Sequence, residues 1–294
     1  PIVAEKILAD GKADLIGMGR ALLADPELPN KTREGRIDEI VPCIACSNCL
    51  AEIIGTYRQW GNPASTYCVV NPVAGKEREY ILPPAQRSKK IMVIGGGPAG
   101  MEAAITAAGR GHQATLYDKG KELGGRLLVA AIPPYKDEIK SLVKSLAVRA
   151  KRAGVKIQLN SEVGRRTIEE EKPDALILAI GATSFVPDIP GAHGDNVALA
   201  EEVLTGRKAV SESVLVVGGG MVGCETAEFL KQVKGVTQVT VLEMLDRLAN
   251  DVSPTYRPFF LARLKKAGIN LMASTKVEEI TERGVRVSQA EGSK

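Results

Sequence analysis

The chain has 294 residues, with 39 basic against 35 acidic side chains, a formal charge of +4, 44% hydrophobic and only 4% aromatic residues. That is material for two domains of ordinary size, while interspersed charge and scarce aromatics supply neither the basic stripe nor the stacking surface of a nucleic-acid binder. No apolar run approaches the roughly 18 residues of a membrane span, and Pro1 to Lys12 carries no signal-peptide pattern, so a soluble cytoplasmic protein that engages no membrane is expected.

Val3, Ile7 and Leu8 recur at helical spacing directly after Pro1, so the chain is read as opening inside a fold. Asp14 to Arg20 is then a strand candidate closed by a Gly-rich turn, followed by a helix from Ala21 that ends between Pro26 and Pro29. An irregular segment rich in Gly, Pro, Asn and Ser runs from Val41 to Pro72 and contains Cys43, Cys46, Cys49 and Cys68. A charged linker with Pro83 and Pro84 spans Gly75 to Lys90.

An internal repeat begins at Lys90. The strand Ile91–Ile94 leads into Gly95-Gly96-Gly97-Pro98-Ala99-Gly100, an Ala-rich helix, and a strand Ala114–Tyr117 closed by Asp118. The same order returns as Val214–Val217, Gly218-Gly219-Gly220-Met221-Val222-Gly223, a helix through Ala227 and Leu230, and Val239–Leu242 closed by Glu243. In such a loop the first glycine allows a tight turn, the second lets a pyrophosphate approach the backbone, and the third lets helix and strand pack closely. The helix amino terminus then presents free N–H groups and partial positive charge to the phosphates. The acid can accept hydrogen bonds from a ribose 2′-OH and repels a 2′-phosphate. FAD is therefore expected at Gly95, Gly97, Pro98, Ala99, Gly100 and Asp118, and NADH in preference to NADPH at Gly218, Gly220, Gly223 and Glu243, with Arg247 near enough in sequence to blur the second preference. Gly124, Gly125 and Arg126 offer backbone that could lie against the flavin or its phosphates. Ala179 and Gly181, at the end of the strand candidate Ala175–Ala179, offer small residues near the nucleotide. Further strand candidates are Val277–Ile280 and Val285–Val287.

Three thiols two residues apart with a distant fourth suit a [4Fe–4S] cubane in a reducing compartment. Zinc competes, since CxxC also builds tetrahedral sites; the two histidines, His112 and His193, lie far from the cysteines in sequence. Cys224 reads as a small packing residue.

Together these residues resemble the iron–sulfur flavoenzymes related to 2,4-dienoyl-CoA reductase, trimethylamine dehydrogenase and 2-enoate reductase, within the old yellow enzyme superfamily. The resemblance implies an α/β fold of tandem Rossmann-like domains. Residues 1–40 would be the tail of an FMN-binding TIM barrel, 41–85 the cluster segment and linker, 86–200 an incomplete FAD domain and 201–294 a truncated NAD(H) domain. Ala13–Arg20 with Leu23–Pro29 resembles the last barrel strand and its following turn, so Gly19 and Arg20 would hold the FMN phosphate. Cys43, Cys46, Cys49 and Cys68 would be the cluster ligands. The gap before Cys68 is longer than in the group, with Tyr57, Arg58 and Trp60 inside it. The parent is then an NADH:flavin oxidoreductase that moves electrons through FAD, the cluster and FMN to an activated C=C bond of a small molecule. No catalytic acid or nucleophile is assigned, because the substrate pocket would lie in the missing barrel. Members of the group often associate, which extends to this protein as homo-oligomerisation. The alternatives are an amine dehydrogenase with ADP at the first site, a reductase like the glutamate synthase small subunit, and a non-catalytic nucleotide-binding scaffold.

Overall fold

The computed structural model describes residues 1–53 and 67–289, and the side chains of all of these except 52 and 53. Tyr57, Arg58 and Trp60 lie outside the described residues. Contacts divide the chain into two units, Pro1–Leu127 with Asp137–Gly181, and Leu128–Lys136 with Ala182–Lys294.

In the first unit, α1 (Ile2–Ala9), α2 (Gly19–Ala24), α3 (Leu28–Arg33), a 3₁₀ turn (Ile37–Glu39) and α4 (Asn48–Ile53) precede the sheet. Next come β1 (Lys90–Ile94), α5 (Pro98–Gly109) and β2 (Gln113–Tyr117), then α6 (Arg126–Ala130), where the chain first passes to the other unit. On its return it forms α7 (Asp137–Arg152), β3 (Lys156–Gln158), α8 (Arg165–Glu171) and β4 (Ala175–Leu178). The four strands pair in parallel in the order β3-β2-β1-β4. Parallel pairing needs crossover helices, and α5 and α7 supply them. Leu142, Leu146 and Ala150 recur on one face of α7 and pack with Val93, Met101 and Leu116 in a buried core.

The second unit repeats the plan on a smaller scale with α9 (Ala200–Leu204), β5 (Ser213–Val217), α10 (Met221–Gln232), β6 (Gln238–Leu242), α11 (Arg257–Lys266) and β7 (Asn270–Met272). Its strands run parallel in the order β5-β6-β7, and β8 (Thr275–Thr281) and β9 (Gly284–Gln289) form a separate antiparallel pair. Glu228 is only 1% exposed and meets Arg263 through two hydrogen bonds of 2.6 and 2.9 Å. The Arg263 guanidinium also lies 4.7 Å from the centre of the Tyr135 ring, which ties the Leu128–Lys136 segment into this unit.

The strand expected over Asp14–Arg20 does not form. Among the described residues nothing pairs with it, Leu15 is 87% exposed, and a strand without neighbours has no ladder to satisfy its backbone. Gly19 and Arg20 instead open α2, which ends at Ala24 just before Pro26. Buried Asp25 organises the next stretch of chain. Its carboxylate accepts hydrogen bonds from the Val41 N–H at 2.8 Å, the Glu27 N–H at 3.0 Å and the Lys31 ammonium at 2.6 Å. Asn71 Nδ2 donates to the Leu23 carbonyl at 2.9 Å. Both ends of the cysteine segment are thereby held against α2.

Candidate functional site

In the first unit, β1 runs out at Ile94 and the chain turns at Gly95, whose φ of +112° lies where side chains are rarely tolerated. A Cβ built on Gly95 would sit 2.2 Å from the Ala179 carbonyl oxygen, and one on Gly100 would sit 1.8 Å from the Gly95 carbonyl oxygen. Strand and helix therefore meet at a distance only glycine permits. Ala179 packs behind this corner, with its Cβ 3.3 Å from the position a Gly100 Cβ would take. Gly181 has a φ of +73° and open surroundings. Gly97 caps α5 in extended conformation, and nothing lies within 4 Å of the Cβ it lacks. Pro98 follows at the first helical position, where a missing N–H costs nothing, and then Ala99.

Asp118 closes β2 and braces the loop. One carboxylate oxygen accepts the Gly96 N–H at 2.5 Å and the other the Gly120 N–H at 2.6 Å. Each oxygen keeps a further lone pair with which a ribose hydroxyl can bond. The 122–126 segment folds over the same loop. The Gly124 N–H donates to the Gly96 carbonyl at 2.9 Å, Gly124 and Gly125 have φ of +129° and +54°, and Arg126 starts α6.

The second unit rebuilds this corner. Gly218 turns with φ +101°, a Cβ on Gly223 would lie 1.9 Å from the Gly218 carbonyl oxygen, and Gly220 caps α10. Buried Glu243 accepts the Gly219 N–H at 2.7 Å and the Leu245 N–H at 2.9 Å. The Ala249 N–H donates to the Gly219 carbonyl at 2.6 Å, as Gly124 does to Gly96. One contact differs. The Asp251 carboxylate stands at the α10 amino terminus and accepts the Met221 N–H at 2.8 and 3.1 Å. The sequence reading missed Asp251, although aligning the two repeats sets it opposite Arg126. It also missed an ion pair of 2.5 Å between Lys136 and Glu225. Arg247 is 62% exposed and its Nε lies 3.7 Å from Asp246. Cys224 is fully buried in α10, its Sγ donating to the Gly219 carbonyl at 3.3 Å. Burial first, and then the charges of Asp251, Glu225 and Glu243, push this thiol up to about 12, so it stays protonated and unreactive at neutral pH.

Cys43, Cys46, Cys49 and Cys68 line one cavity, with Arg20 and Leu23 from α2 on its wall. The backbone between the first three curls through Ala45 and Ser47, whose φ of 53° and 60° are uncommon for residues bearing a Cβ. Burial raises the Cys46 thiol, and the charges of the other three thiols raise it further, against a hydrogen bond from the Asn48 backbone that lowers it. The four cysteines thus share one cavity, which also has Ile44, Val69 and Val70 on its wall. Among the described residues, however, no three His, Cys, Asp or Glu side chains converge as ligands of a single metal ion. Tetrahedral zinc with bonds of about 2.3 Å would bring its thiolates within roughly 4 Å of one another, whereas a cubane receives each thiolate at its own iron.

Two glycine-cornered strand–helix units, each braced by a carboxylate, define a protein of the dinucleotide-binding oxidoreductase class. Residues 89–294 match the model of the pyridine nucleotide-disulphide oxidoreductases, and the chain belongs to that family. It is 43% identical to an NADH oxidase of Thermoanaerobacter brockii over 99% of this chain and 44% of that protein. It is 39% identical to a cinnamate reductase of Clostridium sporogenes over 97% of this chain and 42% of that protein. A solved 2-naphthoyl-CoA reductase in complex with 2-naphthoyl-CoA superposes with a TM-score of 0.92 at 32% identity, covering all of this chain and 44% of the other. These relatives are members of the 2,4-dienoyl-CoA reductase and old yellow enzyme group that the sequence resembles. The chain spans under half the length of each of these three relatives. No helix among the described residues is long and apolar enough to cross a membrane.

Proposed function

We propose that this chain is the electron-input part of an NADH-dependent iron–sulfur flavoenzyme that reduces an activated C=C bond of enoate or enoyl-CoA type. The observation that carries this is the presence in a single chain of two glycine corners built on one plan and one cavity lined by four cysteines. When bound, a nicotinamide supplies hydride, a flavin converts electron pairs to single electrons, and a cluster carries them singly.

In this reading the first corner takes FAD. Gly97 leaves room for the pyrophosphate, α5 aims its amino terminus at it, and Asp118 accepts from the ribose while holding the loop. Gly124, Gly125 and Arg126 cover the phosphates. The second corner takes NADH through Gly218, Gly220, Gly223 and Glu243, whose carboxylate disfavours a 2′-phosphate. Cys43, Cys46, Cys49 and Cys68 hold the [4Fe–4S] cluster. Arg20 stands on the cavity wall within the segment assigned to the FMN phosphate, so one helix serves both groups. The parent works on a small-molecule substrate in the cytoplasm as a homo-oligomer. Units 1–40, 41–85, 86–200 and 201–294 are its barrel tail, cluster segment, FAD part and NAD(H) part.

A cofactor inventory of the anaerobically purified full-length protein tests this. The expected content per chain is one FAD, one FMN and about four irons with matching sulfide; zinc alone, or an absence of flavin, would overturn it.

A further inference from the structure

The two corners share one backbone plan and carry opposite charges at one matching position. Leu123 and Leu248 press on the middle glycine of each loop, their Cδ2 atoms 2.8 and 3.0 Å from where Cβ atoms on Gly96 and Gly219 would stand. Gly124 and Ala249 then donate to the carbonyls of those glycines. The next side chain but one is Arg126 in the first repeat and Asp251 in the second. At Gly97 the approach to the helix is clear. At Gly220 both carboxylate oxygens of Asp251 stand over it, 3.3 and 3.5 Å from the position of a Cβ, while accepting the first free N–H of α10. A pyrophosphate bound at this loop needs the same N–H groups and the same space.

We infer that Asp251 is an intramolecular stand-in for the nucleotide pyrophosphate, and that it sets the affinity of the second corner by competing for the α10 amino terminus. The inference rests on reading that corner as the NADH site. Bound nucleotide displaces the carboxylate and places two anions near each other, so the broken hydrogen bonds and the new repulsion both subtract from binding. Glu243 cannot act in this way, because its oxygens are committed to Gly219 and Leu245 beside the loop. The acid therefore makes the corner a site of quick exchange, suited to a nucleotide that arrives reduced and leaves oxidised at each turnover. The first corner, with cationic Arg126 in the matching place, suits a nucleotide that stays.

The test measures NADH and ADP-ribose dissociation constants for full-length wild type, Asp251→Asn and Asp251→Ala. Removing a helix-capping interaction that only the unliganded corner makes should tighten both ligands by between about two-fold and about thirty-fold. ADP-ribose should respond like NADH, since the effect lies at the pyrophosphate. Melting temperature without nucleotide should fall in Asp251→Ala, a change that accompanies tighter binding only if the carboxylate competes. Unchanged or weaker binding in both variants would overturn the inference while leaving the NADH site intact. Failure of the wild type and both variants to bind either ligand would overturn the site assignment itself.

Discussion

Gly97 and Gly100 stand three positions apart in one loop, yet substitution by alanine should destabilise the fold at Gly100 and spare it at Gly97. A Cβ on Gly100 would lie 1.8 Å from the Gly95 carbonyl oxygen, with the Ala179 Cβ at 3.3 Å on the other side. Real Cβ contacts essentially never fall under 3.0 Å, so β1 and α5 would have to part by roughly 1 Å. Overpacking of this kind costs about 1–3 kcal/mol, and for a chain of this size that lowers Tm by roughly 2–12 °C. The same shift would move the helix amino terminus off the phosphates, so Gly100→Ala should also lose FAD. A Cβ on Gly97 meets nothing within 4 Å, and the residue's φ of −74° and ψ of −178° suit alanine. Gly97→Ala should therefore melt within a few degrees of wild type, reflecting at most about 1 kcal/mol of lost N-cap preference. It should nevertheless bind FAD weakly, because the methyl group occupies the pyrophosphate's approach. Thermal melts of both variants, with flavin released and quantified after purification, check the pair. Full FAD occupancy in Gly97→Ala, or a wild-type melt in Gly100→Ala, would refute the division of the loop into a packing glycine and a ligand glycine.

Replacing Cys46 by serine should leave the protein with less iron and sulfide than wild type, read by elemental analysis of anaerobic samples; undiminished iron would remove Cys46 from the ligand set. Glu243→Gln should narrow the ratio of kcat/KM for NADH over NADPH and lower Tm, since Gln offers one acceptor oxygen where Gly219 and Leu245 each donate to a different carboxylate oxygen, leaving one N–H unpaired at a cost of about 1–3 kcal/mol. Arg263→Met should destabilise the second unit by about 3–5 kcal/mol by stranding the buried Glu228 carboxylate, and Glu228→Gln in the same chain should recover part of the loss in urea melts. Cys224 should resist thiol reagents at pH 8 in the folded protein and react in denaturant. Its native pKa of about 12 lies above the ordinary 9.0, so its contribution to stability is complete below pH 9 and declines as pH rises toward 12.

The nucleotide corners were legible because strand, glycine spacing and closing acid are local in sequence and occur twice. β1, β2, β5 and β6 form within a residue of their expected bounds. β3 and β7 were not foreseen; three residues each, they exist because β2 and β6 offer open edges, a tertiary cause with no local periodicity. Asp14–Arg20 shows the converse, a strand-like pattern without a neighbour to pair with. The second role of Asp118 and Glu243, bracing the loop N–H groups, was hidden because sequence gives the acid's place but not where its oxygens point. Asp251 was hidden for the same reason. Its carboxylate reaches back across the loop to a helix begun thirty residues earlier. The cysteine spacing was plain, while the role of Asp25 and Asn71 in holding that segment to α2 required coordinates.

Under the proposed function, reducing equivalents enter this chain from a nicotinamide and pass to a flavin held in the same chain. Anaerobic titration of the full-length protein with NADH, followed by flavin absorbance, tests it most directly. Bleaching complete at about one NADH per two-electron acceptor is predicted, with NADPH less effective. A flavin spectrum unmoved by excess NADH would contradict it and leave a nucleotide-binding scaffold.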